Sequence, residues 1–161
     1  MGHRPMFTNS LLNTLTSLNM WTFALIMNIL HLSYHQVTTN FDFYPFNNIR
    51  TYTTKQRIAE ASVNFVTMGF PLVAIIINTH KLVGIACFFL AFTLCGEFLS
   101  WWKGYLFGAS DKWKAIYMTI HKNTITFLPP IKDNPVPNLE HCILHLITII
   151  TFTATMLYFM T

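Results

Sequence analysis

Four apolar stretches, each long enough to cross a bilayer, constrain the fold of this chain more than any other feature. A spanning helix needs about 20 predominantly apolar residues. The 161-residue sequence offers such stretches at residues 15–35, 58–77, 82–102 and 140–158. Only residues 78–81 link the second stretch to the third, so these two must form a helical hairpin. The sequence therefore predicts an all-α integral membrane protein, an antiparallel bundle of four transmembrane helices.

The composition favours a membrane protein over a soluble one. Apolar residues make up 53% of the chain and charged residues 10%, against roughly 25% charged residues in soluble domains. The ten Lys and Arg residues are scattered without a dense basic run, so we expect no nucleic-acid partner. We expect one membrane domain over residues 1–161, with membrane lipid as its surroundings and a homo-oligomer or complex-subunit role left open.

The basic residues predict the orientation of the bundle. Most of them lie in the two long links, residues 36–57 and 103–139, whereas Arg4 and Lys81 lie at the other side. Loops rich in Lys and Arg stay in the cytoplasm, so both long loops are predicted to be cytoplasmic and both termini non-cytoplasmic. The basic residues of the two links are Arg50, Lys55, Arg57, Lys103, Lys112, Lys114, Lys122 and Lys132.

A short additional helix is predicted in the last long loop. Ser110 or Asp111 can cap it, and it would run to about His121. An apolar stripe at helical spacing favours a helix lying in the membrane interface, although the same stripe could pack on the bundle. The stripe consists of Trp113, Ile116, Tyr117 and Ile120.

Six ionisable side chains fall inside the apolar stretches, where they are costly unless they face a partner or a cavity. Residues four apart share a helix face, so each histidine pair points in one direction. In the antiparallel topology, all four helices bring an acid or an imidazole to one layer beneath the cytoplasmic surface. The six residues are His31, His35, Glu60, Glu97, His141 and His145.

This layer predicts a metal site built from the six residues. Four-helix bundles take Glu and His ligands from facing helices, and nitrogen and oxygen donors favour zinc or iron over soft metals. The most deeply placed members are His31, Glu97 and His145, whereas His35 and His141 lie nearer the interface. Glu97 or Glu60 would act as the catalytic general base. The alternatives are a metal-free site in which Glu and His handle protons, haem held by two histidines, and a purely structural network.

The two H-x-x-x-H pairs, His31/His35 and His141/His145, resemble part of the histidine-rich motifs of membrane di-iron hydroxylases and desaturases. The resemblance covers these two pairs alone, because the further histidine doublets of those families are absent from the sequence. It implies an iron site and oxidation of an aliphatic chain.

The first functional hypothesis is a small membrane enzyme whose site lies at the cytoplasmic leaflet. It would act on a lipid or other apolar substrate, by hydrolysis with zinc or by oxidation with iron. The alternatives are a non-enzymatic membrane subunit or immunity-type protein, a b-type haem protein, and a proton- or ion-conducting bundle. Conduction is disfavoured because no polar path continues through the third stretch, although Asn19 and Asn28 of the first stretch could extend one.

Overall fold

The computed structural model describes the backbone of residues 6–161 and the side chains from residue 15 onward. Within this part the chain is 76% helical and contains no strand, which confirms the all-α prediction. A 3₁₀ turn, Ile49–Thr51, and a π-turn, Phe98–Trp102, accompany the α-helices. The α-helices are α1 (Met6–Asn40), α2 (Thr54–Ile77), α3 (His80–Glu97), α4 (Lys103–Phe107), α5 (Asp111–Ile120) and α6 (Leu139–Phe159).

Four helical segments are long and apolar enough to span a membrane. These segments extend up to five residues beyond the stretches expected from hydropathy. Capping and loop contacts determine where a helix ends, whereas hydropathy reports only its apolar part. The third segment joins α3, the π-turn and α4 into one continuous helix. The four segments are Leu15–Asn40, Thr54–Ile77, His80–Phe107 and Leu139–Phe159.

Thr53 begins α2 with a capping box, in which its hydroxyl accepts from the Gln56 N–H and the Gln56 side chain accepts from the Thr53 N–H.

The turn between α2 and α3, at the other end of α2, is tighter than the sequence suggests. Asn78 ends α2 in the left-handed conformation, at φ 58°, which asparagine tolerates better than most residues. Since α3 begins at His80, only two residues are non-helical.

The four long segments form a closed ring in which α1 packs against α2 and α6, and α3 also packs against α2 and α6. Small and branched side chains fill the centre, including Ala24, Ile75 and Val83, all 2% exposed or less. The outward faces are apolar as well: Phe88 is 70% exposed and Phe92 68% exposed. Such surfaces suit lipid or another subunit better than water.

The two long loops cover one end of the ring and are tied to each other. The Ile125 N–H donates to the Pro45 carbonyl at 2.9 Å, and the Leu139 N–H donates to the Ile125 carbonyl at 2.7 Å. The buried Asn47 side chain holds the first loop, because its amide donates to the Thr38 carbonyl at 2.7 Å. We call the end of the ring that the two long loops cover the loop end, and we call the opposite end, at Asn78, the turn end.

Helix α5 lies in the last long loop, as predicted, and Ser110 caps it by accepting a hydrogen bond from the Trp113 N–H. Its stripe faces the protein in part: the Trp113 ring meets the Trp101 ring edge-on at 5.3 Å between centroids. Lys114 joins the helix to the following segment through an ion pair with Asp133 at 2.5 Å. Within this stripe, Trp113 therefore packs on the bundle, whereas Ile116 stays 37% exposed and faces outward.

Candidate functional site

A cavity of about 220 Å³ lies near the loop end, and all four long helical segments line it. It brings together five of the six ionisable residues singled out in the sequence. Gly96 and Ser100 are the exposed members of the lining. The cavity therefore opens along the α3 segment, where that segment faces α2. The lining residues are His35, Glu60, Asn64, Met68, Thr93, Gly96, Glu97, Ser100, Trp101, His141, Leu144 and His145.

His31 is connected to this cavity through Thr148 rather than by lining it. The His31 Nε2 lies 3.0 Å from the Thr148 Oγ1, which also contacts the Glu97 Oε1 at 2.7 Å. His31, expected to be the deeper member of the pair, is fully buried against α6, whereas His35, expected nearer the interface, is 5% exposed and lines the cavity.

The Thr148 hydroxyl has more partners than it has hydrogens. It lies within bonding distance of His31 and Glu97, and 3.0 Å from the Leu144 carbonyl, yet it has one hydrogen to donate and two lone pairs. When Glu97 is ionised, Thr148 donates to the carboxylate. When Glu97 is protonated, its own O–H donates to Thr148, whose hydrogen turns to Leu144. With Glu97 ionised, the His31 Nε2 must therefore carry the hydrogen that Thr148 accepts.

The tautomer of His145 follows from its contact with Trp102. The indole Nε1 lies 2.9 Å from the His145 Nδ1, and an indole N–H can only donate. His145 therefore accepts at Nδ1, and in the neutral ring the hydrogen sits on Nε2. Since His145 lines the cavity, this ring supplies the site with an N–H donor.

The π-turn directly after Glu97 shapes this contact. A π-turn is wider than an α-helical turn and is frequent at functional sites. Residues five apart share a side there, so Glu97 and Trp102 both reach α6, at Thr148 and at His145. Trp101 is buried and lines the cavity, and Trp102 bonds to His145, because the widened turn directs both indoles toward the protein.

His141 is held by the cap of its own helix. Asn138 begins α6 by accepting from the His141 N–H at 3.1 Å, and the same Oδ1 lies 2.6 Å from the His141 Nδ1. The Glu140 carboxylate lies 3.2 Å from that nitrogen, and the Trp101 ring packs over the imidazole at 4.1 Å. His141 therefore has a fixed orientation at the cavity wall.

The loops add His121, to which the sequence assigned no role. It is 5% exposed, and its ring lies 4.9 Å from the Trp101 ring and 5.5 Å from the His141 ring. Burial, and then the neighbouring His141, lower the pKa of His121 to about 3, while Glu140 acts in the opposite direction. His121 is therefore a neutral part of the loop-end packing, directly behind the cavity wall.

The six residues were also predicted to hold a metal ion. Within the described residues, no group of three or more His, Cys, Asp and Glu side chains is arranged to hold one. Trp102 donates to the His145 Nδ1, so the neutral His145 ring carries its hydrogen on Nε2 and has no lone pair free for a metal ion. The residues as placed do not fit a metal ion, and metal and haem binding stay predictions.

Comparisons with protein-family models, with curated proteins and with solved structures found no match for this chain. Its function must therefore be argued from the chemistry of the site.

Sequence reasoning missed the polar residues that support the site from α6. Thr148, Thr151 and Thr155 are all fully buried. Their spacing of three and four residues continues the stripe begun by His141 and His145, and this periodicity was the available signal. Threonine is common on lipid-facing positions as well, so composition alone did not separate these three from the exposed Thr153.

His121 gives a testable pH dependence. Because its pKa is lower in the folded chain (about 3) than in the unfolded chain (about 6.5), its contribution to stability is complete above about pH 6.5 and is lost as the pH falls toward 3. His121→Phe keeps an aromatic ring beside Trp101 and removes the titrating group. We expect this variant to gain about 2 kcal/mol relative to wild type between about pH 7.5 and about pH 5, measured by unfolding in detergent micelles. A difference between variant and wild type that does not change with pH would contradict the buried neutral state.

Proposed function

We propose that this chain is an integral membrane protein of four antiparallel spans, with its long loops in the cytoplasm and both termini on the opposite side. Four apolar helical segments of 21 to 28 residues, with apolar outward faces, support insertion. The excess of basic residues in the two long loops supports the orientation. Helix α5 would then lie at the cytoplasmic interface, with the exposed Ile116 and Met118 toward lipid.

We further propose that the cavity is the active site of a membrane hydrolase acting on a lipid or other apolar substrate. The single observation that carries this proposal is the cavity itself, where Glu60, Glu97 and three imidazoles from four different helical segments line one space. Ionisable groups inside a spanning bundle are costly, and their convergence on a cavity is a mark of function.

The side chains present can carry hydrolysis through as acid–base chemistry. The Glu97 carboxylate would take a proton from a water molecule in the cavity, and the oxygen of that water would attack the ester carbonyl or phosphorus. The Nε2–H of His145 would donate to the developing oxyanion. The proton held by Glu97 would then pass to the departing alkoxide, which restores the carboxylate and leaves an acid and an alcohol as products.

Glu97 is the preferred base because the Thr148 hydroxyl can form a hydrogen bond with it in either protonation state. Thr148 donates to the ionised carboxylate and accepts from the protonated one, so both states of Glu97 have a hydrogen-bond partner. Glu60 faces the same cavity from α2, where it is suited to orient the water or a polar group of the substrate.

An apolar substrate is favoured by where the cavity opens. The exposed lining residues Gly96 and Ser100 lie on the third segment, flanked by exposed side chains such as Phe92 and Leu99. The loops cover the end of the bundle through their mutual hydrogen bonds. A substrate would therefore enter sideways from the bilayer, with its polar bond in the cavity and its apolar chain in lipid.

Substitutions at Glu97 and at the opening test the active site. On a panel of chromogenic long-chain carboxylic and phosphoric esters in vesicles, Glu97→Gln should lower kcat by about 10²- to 10⁴-fold. Gly96→Leu should raise KM, because a side chain there enters open space at the mouth of the cavity, with no described atom within 4 Å of the added Cβ.

Gly69→Leu is the matched control, since Gly69 in α2 has equally open surroundings and does not belong to the cavity lining. It should leave both constants within about twofold, as expected for a surface substitution. No turnover by wild type above protein-free vesicles, or full activity of Glu97→Gln, would exclude the hydrolase.

Elemental analysis separates the acid–base enzyme from the metal-dependent version. We expect the purified protein to carry less than about 0.1 equivalent of zinc or iron, and chelation to leave its melting temperature unchanged, because no three His, Cys, Asp or Glu side chains in the described part of the chain are arranged to hold a metal ion. Stoichiometric zinc or iron would replace the acid–base mechanism with a metal-dependent one.

Cysteine labelling tests the orientation. In a background whose three native cysteines are replaced by serine, Thr161→Cys should react with a membrane-impermeant maleimide in intact cells. Lys132→Cys, in the last long loop, should react only after permeabilisation. The reverse pattern would invert the topology, and labelling of both positions in intact cells would exclude the four-span arrangement.

A further inference from the structure

A column of buried polar side chains runs between α1 and α6, away from the cavity. All five of its members are 0% exposed. Burying so many polar groups inside a helical bundle is costly unless they bond to one another or to water. The members are Asn28 and His31 of α1, and Thr148, Thr151 and Thr155 of α6.

Hydrogen bonds cross the interface along the column. The Thr148 hydroxyl meets the His31 Nε2 at 3.0 Å, and the Thr151 hydroxyl lies between the Ile147 carbonyl of its own helix at 2.8 Å and the Met27 carbonyl of α1 at 3.2 Å. One level further toward the turn end, the Asn28 amide donates to the Thr155 Oγ1 at 3.0 Å. The column is therefore continuous with Glu97 at the cavity, because Thr148 contacts both.

Two atoms in the column lack a hydrogen-bond partner among the described residues: the Asn28 Oδ1 and the His31 Nδ1. The two residues are three apart on α1 and so lie on one face, one turn from each other. With Glu97 ionised, the His31 Nε2 carries the hydrogen that meets Thr148, so its Nδ1 is an acceptor, as is the Asn28 Oδ1. Buried polar atoms are rarely left unpaired, and one water molecule donating both hydrogens would satisfy both acceptors.

The column points toward a second cavity, at the turn end. This cavity, of about 190 Å³, is lined by Ser17, Asn78, His80 and Tyr158 among others. The Tyr158 hydroxyl donates to the Asn78 side chain there. On α6, His145, Thr148, Thr151, Thr155 and Tyr158 follow one another at intervals of three or four residues, so one side of α6 is polar from the first cavity to the second.

We propose that this column is a proton path that connects the two cavities and lets the protein conduct protons across the membrane. This inference does not rest on the proposed hydrolysis. A proton enters through water in the turn-end cavity, passes Thr155, and reaches the water held by Asn28, which donates to the His31 Nδ1. The imidazole releases the hydrogen on its Nε2 to the Thr148 hydroxyl, and that hydroxyl passes its own hydrogen to the ionised Glu97. Glu97 then releases the proton into the first cavity.

Each step of this relay exchanges one hydrogen for another, so no group is oxidised and no net charge stays in the path. Asn28 does not titrate; it holds the water and Thr155 in position. The ionisable side chains along the path are Glu97 and His31, with Glu60 and His145 lining the first cavity and His80 lining the turn-end cavity.

A structural role for the same residues makes a different prediction. Threonine hydroxyls that bond to carbonyls across an interface join helices, and in that case their loss would lower stability without affecting proton movement. The chain offers a matched control, because Thr153 lies on the same helix with its hydroxyl on the Ile149 carbonyl, exposed on the outer face.

The test uses the full chain in liposomes that contain a pH-sensitive dye, with a pH gradient and with potassium and valinomycin to compensate charge. Wild type should dissipate the gradient faster than protein-free vesicles. Asn28→Leu and Thr155→Val should each lower this protein-dependent rate at least about tenfold. Thr153→Val and Thr155→Ser, which keeps the hydroxyl, should stay within about twofold of wild type. Melting temperatures in detergent check that each variant folds.

Two results would overturn the proposal: wild-type flux equal to that of protein-free vesicles, or equal flux in folded Thr155→Val and Thr153→Val. Should Thr155→Val fail to fold, the comparison moves to Asn28→Leu, and a folded Thr155→Ser that has lost its flux also overturns the relay. Ester hydrolysis is assayed separately without a gradient, so a failure of conduction and a failure of the hydrolase are distinguishable.

Discussion

The hydrogen bonds of Thr148 are the interaction on which the rest of the bundle depends. Its hydroxyl joins α6 to His31 of α1 and to Glu97 of α3, so one small side chain connects three of the four long segments. In a bilayer, helices gain little from hydrophobic burial against one another, and such bonds provide part of their specificity. The rotation that brings Glu97 and His31 to Thr148 also turns His35, His141 and His145 toward the cavity.

The sequence predicted those properties that depend on local chemistry. Apolar length indicated the helices, and spacing of four within each histidine pair, together with the short link at Asn78, indicated that the ionisable residues converge at one depth. Glu60, Glu97, His35, His141 and His145 do line one cavity, whereas their catalytic and metal-binding roles remain predictions. Which of His31 and His35 lines the cavity was not predictable from spacing, because residues four apart share a helix face and packing between the helices decides between them.

Other parts of the site depend on contacts between distant residues that spacing does not reveal. The pairing of Ile125 with Pro45 and Leu139 encloses His121, which hydropathy leaves as an ordinary loop histidine. The π-turn over Phe98–Trp102 has no simple sequence signature, yet it directs Trp102 to His145. Both features arise where local preference and tertiary packing disagree, and such places are often functional.

The π-turn has one more consequence, for the phase of the third segment. One extra residue in a turn shifts everything beyond it by about 100° around the helix axis. The outward face before the turn, with Phe88 and Phe92, and the outward face after it, with Leu106 and Phe107, therefore follow two different registers. A single heptad or 3.6-residue pattern cannot describe the whole segment. Deleting one residue between 98 and 102 would restore a regular helix and separate the tryptophans from the histidines they contact, so the length of this segment is under a constraint that its hydropathy does not reveal.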